Sequence, residues 1–422
     1  MARDERQAPR PGRGRGRGGI GMVLAAMGPG ILTALAGNDA GGIATFSNAG
    51  SRYGFGQLWT IPITCFLLIV VQETAARMSC ATGKGFASLI REQFGIRISA
   101  VAMLSLVVTN TTVTISEFAG IAAGMQLFGV PVYVSVPISA LLVWLLTMGG
   151  SYKRVEKILL AISCVFVTYV VAGVIAGPDW ASAIASTFVP HPSGDPAYVE
   201  LLVATIGTTV SPYMMFMVGS NIVDKNLGPE DLASQRIDNV SGSIVAQLVA
   251  WFIVLTTATV LYPSGVVVES AEAAAQALVP IAGEHAGMLF AFGLVGASFL
   301  AACVLPGVTA NAVCEAFGWE RGANSVWSEA PVYHGIISVT VVLSAAVVML
   351  PGADLFGIMM VAQVINGVLL PVLLLCMLGI ASDRHVMGEN VNGRLWNAIT
   401  WVMIVGVVVL TVVMFVLQAM GY

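Results

Sequence analysis

Asp39 is the residue whose setting most needs a chemical explanation. It sits in Gly37-Asn38-Asp39-Ala40-Gly41-Gly42, about 17 residues into an apolar stretch that begins near residue 22. An ionised carboxylate at that depth in a bilayer is costly and survives by facing a cavity or a partner. No Lys or Arg lies equally deep in any apolar stretch, so a fixed protein cation is not the expected partner. Two readings remain. Asp39 could hold a mobile cation together with backbone carbonyls freed by the glycines, a hard, oxygen-rich site. It could instead be a permanently protonated acid in a hydrogen bond. Glu117 is the second acid inside an apolar stretch, and a proton relay, a second cation site and a neutral packing acid are all open for it. Gln363 and Asn366 lie one turn apart in another stretch, ahead of Gly367 and Pro371; such amides either bond a neighbouring helix or line a path. Met214, Met215 and Met217 read as packing or lipid contact. The four histidines (His191, His285, His334, His385) fall in loops or at the ends of apolar stretches and read as surface residues, which argues against a histidine proton relay.

The elements that must position these residues are membrane helices. Of 422 residues, 57% are hydrophobic and 10% charged, where a soluble domain carries about 25% charge. Apolar runs cover, approximately, 22–50, 58–75, 98–125, 131–149, 158–176, 199–219, 244–262, 287–306, 333–350, 356–380 and 396–418. Each is long enough to span a bilayer, which gives an all-α integral membrane protein of eleven transmembrane helices. With the N-terminus in the cytoplasm, every Lys and Arg of the 19 falls inside except Arg52. That asymmetry puts the C-terminus outside, in a multi-pass protein of the plasma membrane.

The first and sixth spans are interrupted near their middles, the first at residues 37–42 and the sixth at Gly207-Thr208-Thr209-Val210-Ser211-Pro212. Corresponding breaks five helices apart are expected of two inverted five-helix repeats with an extra helix appended, a LeuT-like plan. Backbone groups freed at such breaks are tolerated only where they face protein, water or an ion. The chain then divides into a disordered, basic cytoplasmic tail (1–19), a first five-helix repeat (20–180), a second, inverted repeat (198–380), and a loop with the eleventh helix (381–422). The tail holds six arginines among Gly and Pro; it reads as a cytoplasmic segment rather than a nucleic-acid binder. Six cysteines lack CxxC spacing, so neither disulfide nor zinc site is expected. No HExxH motif or GxSxG elbow with suitable partners suggests an intramembrane enzyme.

These residues also carry a family likeness. Gly28-Pro29-Gly30 followed by Asn38-Asp39-Ala40-Gly41-Gly42 resembles the first helix of the NRAMP divalent-metal transporters, where the pattern is GPG and then Asp-Pro-Gly-Asn. Tyr152-Lys153-Arg154-Val155-Glu156-Lys157 and Gly177-Pro178-Asp179-Trp180 resemble the loops around its fifth helix. Gln363-Val364-Ile365-Asn366-Gly367-Val368-Leu369-Leu370-Pro371 is similar to its tenth helix. Ser382-Asp383-Arg384, with Met387-Gly388-Glu389 and Val391-Asn392, resembles the loop after that helix. The departures are specific. The Asn of Asp-Pro-Gly-Asn is Gly42. The family's Met-Pro-His on the sixth helix is Ser211-Pro212-Tyr213, so its metal-binding Met is Ser211 and its proton-linked His is Tyr213. The acidic pair of the third helix is Thr114 and Glu117, and the arginines of the ninth helix have no counterpart in 335–350.

A thioether favours transition metals over abundant hard ions, so losing it removes that filter. A roomier oxygen-lined site suits Mg2+, which keeps part of its water shell. The resemblance is therefore closest to the NRAMP-related magnesium transporter branch. It implies import of Mg2+, and also Mn2+, largely without protons. Asp39 is the expected anionic ligand, with carbonyls near Gly42 and Thr208, the Ser211 hydroxyl and Gln363 completing the shell. Glu117, Tyr213 and Asn366 are candidates for the transport path or for proton handling. The ion is cargo, so no cofactor is expected, and nothing in the sequence requires more than a monomer. The alternatives are a proton-coupled Mn2+ or Fe2+ importer and, less favoured by the tenth helix, a sodium-coupled amino-acid transporter of the same fold.

Overall fold

The computed structural model describes residues 39–148, 167–322 and 326–420. The basic tail, Gly28-Pro29-Gly30, Asn38, Cys164 and the 152–157 motif lie outside the described residues. Within them the chain is all helical, with no strand.

The elements run in order as α1 (Ala40–Tyr53), α2 (Thr60–Thr82), α3 (Phe86–Leu127), α4 (Val132–Met148), α5 (Val167–Ile175), α6 (Trp180–Phe188), α7 (Pro196–Thr209) and α8 (Pro212–Asp224). They continue as α9 (Leu232–Val260), α10 (Ala271–Gln276), α11 (Val279–Ala282), α12 (Ala286–Phe317), α13 (Pro331–Val348), α14 (Leu355–Ala381), α15 (Arg384–Met387) and α16 (Arg394–Ala419). Among the described residues, eight helical segments are long and apolar enough to cross a membrane, counting α7 and α8 as one, and α4 is a shorter apolar helix. α1 and α5 each border residues outside the description, so the first and fifth spans are seen only in part.

Several boundaries differ from the sequence reading, for local reasons. The third span is preceded by a helical piece that begins at Phe86 and that the hydropathy reading did not include. It ends at Gly95, whose φ of 72° and ψ of −175° are not helical and join it at an angle to the piece that follows. Only glycine takes that conformation without strain. α2 continues past residue 75 to Thr82 and stops at Gly83, a left-handed cap. Charged residues in that last stretch broke the hydropathy signal but pair inside the fold, as shown below. α6 follows the Gly177-Pro178-Asp179 turn because Asp179 caps it, its Oδ1 accepting from the amides of Ala181 (3.1 Å) and Ser182 (3.2 Å).

The apolar core falls into two large clusters. One gathers Phe46, Leu58, Ile61, Phe118, Ile121, Ile253, Leu255, Phe290 and Leu294. The other gathers Leu68, Met78, Leu106, Met215, Phe216, Leu370, Leu373 and Met377. Along α3 and α14 the boundary between them falls at Thr114–Glu117 and at Gln363–Asn366, where Thr114, Glu117, Gln363 and Asn366 are buried. Polar side chains thus occupy a level between two apolar layers. The opposite faces of the outer helices carry exposed Leu104, Val339, Leu343, Val402 and Val412, the surface that lipid would cover.

Candidate functional site

α1 begins at the level that separates the two clusters. Asp39 is its N-cap: Oδ1 accepts from the amide of Gly42 at 2.7 Å, and only 2% of the residue is exposed. The cap satisfies one amide that a helix start leaves open, and the N-terminal end of a helix favours the negative charge. Gly42 therefore contributes its N–H to the aspartate. The neighbouring amide of Ala40 donates to Glu117 Oε2 at 3.2 Å. One turn of backbone thus ties the two buried acids together, and Ser298 of α12 stands beside Glu117. The close approach of α3 is possible because Gly120 has no Cβ; one built there would overlap Ala40 and Ser298.

The second break is a true interruption. α7 ends at Thr209, α8 starts with Pro212 at its first position, and between them Val210 leaves the helical conformation and Ser211 is extended. Pro212 has no N–H, so the Thr208 carbonyl loses its helical donor. The Ser211 hydroxyl substitutes, donating to the carbonyls of Gly207 (3.1 Å) and Thr208 (3.3 Å). The hydroxyls of Thr208 and Thr209 are buried without a partner among the described residues. Tyr213 is buried in the first turn of α8. Met214 and Met215 are buried there as well, in the second cluster, as packing residues.

α14 brings the start of α1 and the interruption between α7 and α8 together. Gln363 lies against Gly41, where an added Cβ would overlap its amide, and the Gln363 carbonyl and Gly367 amide lie against Gly207 in the same way. Asn366 donates from Nδ2 to the Gly207 carbonyl (3.0 Å) and to Ser211 Oγ (3.0 Å). Of the two roles open to these amides, Asn366 bonds the neighbouring helix. Both atoms of the Gln363 amide, by contrast, are buried and unpartnered, as is Asn366 Oδ1. The structure therefore brings Asp39, Gly42 and Glu117 together at one break, Thr208, Ser211 and Tyr213 together at the other, and Gln363 and Asn366 between them. Among the described residues no three His, Cys, Asp or Glu side chains cluster as a metal site would.

One expectation is overturned. His334 is not a surface residue: it is 3% exposed, its Nδ1 lies 2.9 Å from Met148 Sδ, and its ring stacks on Trp327 and meets Tyr333 edge-on. Its place at the start of α13 looked peripheral in sequence, but the helix packs against α4 there. His191, His285 and His385 are exposed. Four of the cysteines (Cys80, Cys303, Cys314, Cys376) are buried and Cys65 is half-buried.

The sequence reading missed a polar cluster. Glu73 and Arg77, four apart on α2, are both buried and paired (3.1 Å). Glu73 also accepts from Arg236 of α9 (2.7 Å), while Arg77 donates to the Asn390 carbonyl (2.6 Å) and to Asn392 Oδ1 (2.5 Å). Glu–Arg at i, i+4 was the available signal, hidden because the apolar run was ended at residue 75, between the two.

Residues 30–417 match the sequence model of the family described as natural resistance-associated macrophage protein-like, Nramp. The chain belongs to the Nramp family. A relative in Pseudomonas aeruginosa, named divalent metal cation transporter MntH 1, is 28% identical over 89% of this chain and 87% of its own. A second, from Deinococcus radiodurans and named divalent metal cation transporter MntH, is 26% identical over 93% of this chain and 89% of its own. These Nramp relatives are named as transporters, not enzymes. Among solved structures, the Eremococcus coleocola manganese transporter superposes with a TM-score of 0.73 at 20% identity, covering 94% of this chain and 87% of that one. MhsT, solved with L-phenylalanine, superposes at 0.57 with 15% identity over 93% of this chain and 98% of its own. At these identities the two structures speak for the fold alone, a multi-pass helical Nramp fold that is LeuT-like.

Proposed function

We propose that this Nramp protein imports divalent metal ions, with Mg2+ as the main cargo and Mn2+ also carried, largely uncoupled from protons. The observation that carries the reading is the composition of the level between the breaks. Asp39 stands at a helix start with Glu117 beside it and neutral oxygen groups around it, including the unpartnered Gln363 amide. Where the family pattern has a thioether on the sixth helix, this chain has Ser211. Carboxylate and neutral oxygens without a thioether suit a hard cation that arrives with part of its hydration shell. Asp39 is the proposed anionic ligand; carbonyls near Gly42 and Thr208, the Ser211 hydroxyl and Gln363 are the proposed neutral contacts. In this conformation Gly42 gives its N–H to Asp39 and Ser211 its O–H to the break, so what remains to an ion is the Gly42 carbonyl and the second lone pair of each hydroxyl.

The same reading takes the chain as eleven spans in two inverted five-helix repeats plus one, at the plasma membrane with the N-terminus inside. The inside-negative potential contributes about 2.3 kcal/mol per charge per 100 mV, and a divalent ion gains about twice that. Import down that gradient needs no proton. The similar solved transporter is named for manganese, and Glu117 beside Asp39 is the group a proton-coupled Mn2+ or Fe2+ importer would use.

Reconstituted proteoliposomes distinguish the readings. Uptake of Mg2+, Mn2+ and Ca2+ is measured while internal pH is recorded. Mg2+ uptake at constant pH, abolished by Asp39→Ala, is the expected result. Acidification that tracks Mn2+ uptake would assign the proton-coupled alternative, and wild-type flux in Asp39→Ala would remove Asp39 from the site.

A further inference from the structure

One face of α14 touches both breaks, and the closeness of that contact has a cause. Gly41 and Gly207 leave no room for a Cβ against α14, and Gly367 leaves none against Val203 of α7. Small residues at a membrane helix crossing let backbones meet. Asn366 is the neighbour of Gly367, so this crossing delivers its amide directly onto the end of α7.

The orientation of that amide is fixed by chemistry. A backbone carbonyl only accepts, so the atom facing Gly207 must be Nδ2. It also reaches Ser211 Oγ, which passes its own proton to the Gly207 and Thr208 carbonyls. These bonds close a small network across the one place where α7 and α8 share no helical bond. Asn366 Oδ1 is then left buried, in a residue 1% exposed, with no partner among the described residues. One turn away, the Gln363 amide is in the same condition. Buried acceptors are almost always satisfied, and two of them at one level call for a donor beyond the described residues. The waters carried by a divalent cation are such donors.

We propose that Asn366 is a positioning and specificity-determining residue: its Nδ2 holds the sixth-span break in shape while its Oδ1 accepts from water in the shell of the transported ion. The proposal rests on the divalent-cation reading above and deepens it, by tying selectivity to a contact with the shell rather than with the metal. A residue that only braced the two helices would affect all cations alike. One that reads the shell affects most the cation that keeps its water most firmly, which is Mg2+.

The test compares Mg2+ and Mn2+ uptake in proteoliposomes for wild type, Asn366→Leu and Asn366→Gln. Leucine has the same branching at Cγ and no hydrogen bonds to give or take. In Asn366→Leu, Mg2+ uptake is expected to fall at least ~10-fold, the effect of losing one good polar contact, with Mn2+ uptake falling markedly less. Asn366→Gln keeps the amide on a longer stem and is expected to give an intermediate Mg2+ to Mn2+ ratio. An unchanged ratio, with or without an equal loss for both ions, overturns the proposal. Should Asn366→Leu fail to fold in detergent, Asn366→Gln decides alone: a wild-type ratio there overturns it. A wild-type protein that moves neither ion removes the transport reading and this inference with it, whereas wild-type flux with an unshifted ratio removes only the role given to Asn366.

Discussion

Asp39 does two things at once, and the two can be separated. Its carboxylate caps α1 through the Gly42 amide, and it brings a negative charge to the level between the breaks. Asn is as good an N-cap as Asp, so Asp39→Asn keeps the helix start and removes only the charge. The expected outcome is a thermal midpoint near that of the wild type with divalent-ion uptake reduced at least ~10-fold, worth about 1.4 kcal/mol; uptake and melting are measured on the same preparation. Gly41 makes a complementary case. A methyl group there must displace the Gln363 side chain, and forced overpacking of this kind costs about 1–3 kcal/mol. Gly41→Ala is expected to lower both the melting temperature and the uptake rate, where an exposed Gly→Ala change in a helix would raise stability.

At the scale of elements, polar ties hold the bundle on the side of Glu73. Glu73 accepts from Arg77 on its own helix and from Arg236 on α9, and Arg77 reaches on to Asn390 and Asn392 before α16. Removing one member of a buried ion pair costs about 3–5 kcal/mol. The low end applies here, because the Arg236 side chain is 50% exposed and keeps access to water. Glu73→Ala is expected to lower the midpoint of thermal unfolding, and Arg77→Ala to do the same while loosening the 388–393 segment in hydrogen exchange. Asp383 ties the neighbouring turn. The backbone N–H of His385, and then the side chain of Gln93, hold its carboxyl below the usual carboxylate range. A depressed folded-state value means that its contribution is present above the unfolded value of about 3.9 and is lost as pH falls through the folded one. The stability difference between wild type and Asp383→Ala is therefore expected to shrink as pH is lowered from about 5 to about 3, read by thermal melts across that window.

At the scale of the molecule, the proposed transport is a two-state problem. The proposed fold has half-helices turn about the level where α14 meets both the start of α1 and the interruption between α7 and α8. If two charges cross per cycle with no proton returned, the rate must follow the membrane potential and not the pH gradient. A potassium diffusion potential, inside negative, is expected to accelerate Mg2+ uptake into proteoliposomes, and collapsing a pH gradient at fixed potential to leave it unchanged. A rate that instead tracks the pH gradient would return the assignment to the proton-coupled alternative.

Amino-acid type and order were enough to establish an all-helical membrane chain, the break in the sixth span and an acid at the start of α1, because lipid allows few backbone arrangements and Gly, Pro and a buried Asp stand out against apolar sequence. The family was legible too, since its tenth-helix motif is an unbroken string and the loop motif follows it closely. What hydropathy could not reach were features that depend on a partner far along the chain. The last two turns of α2 read as a loop because Arg77 interrupts the apolar run, and only Glu73, α9 and residues 390–392 make it interior. His334 read as peripheral because nothing in its neighbourhood of sequence announces Met148. The two roles open to Gln363 and Asn366 were equal in sequence; the glycine contacts of Gly41, Gly207 and Gly367 gave one amide to the break and left the other unpartnered. Local polarity decides where a chain can cross a membrane, and tertiary packing decides which of its polar groups are satisfied and which are left for a ligand.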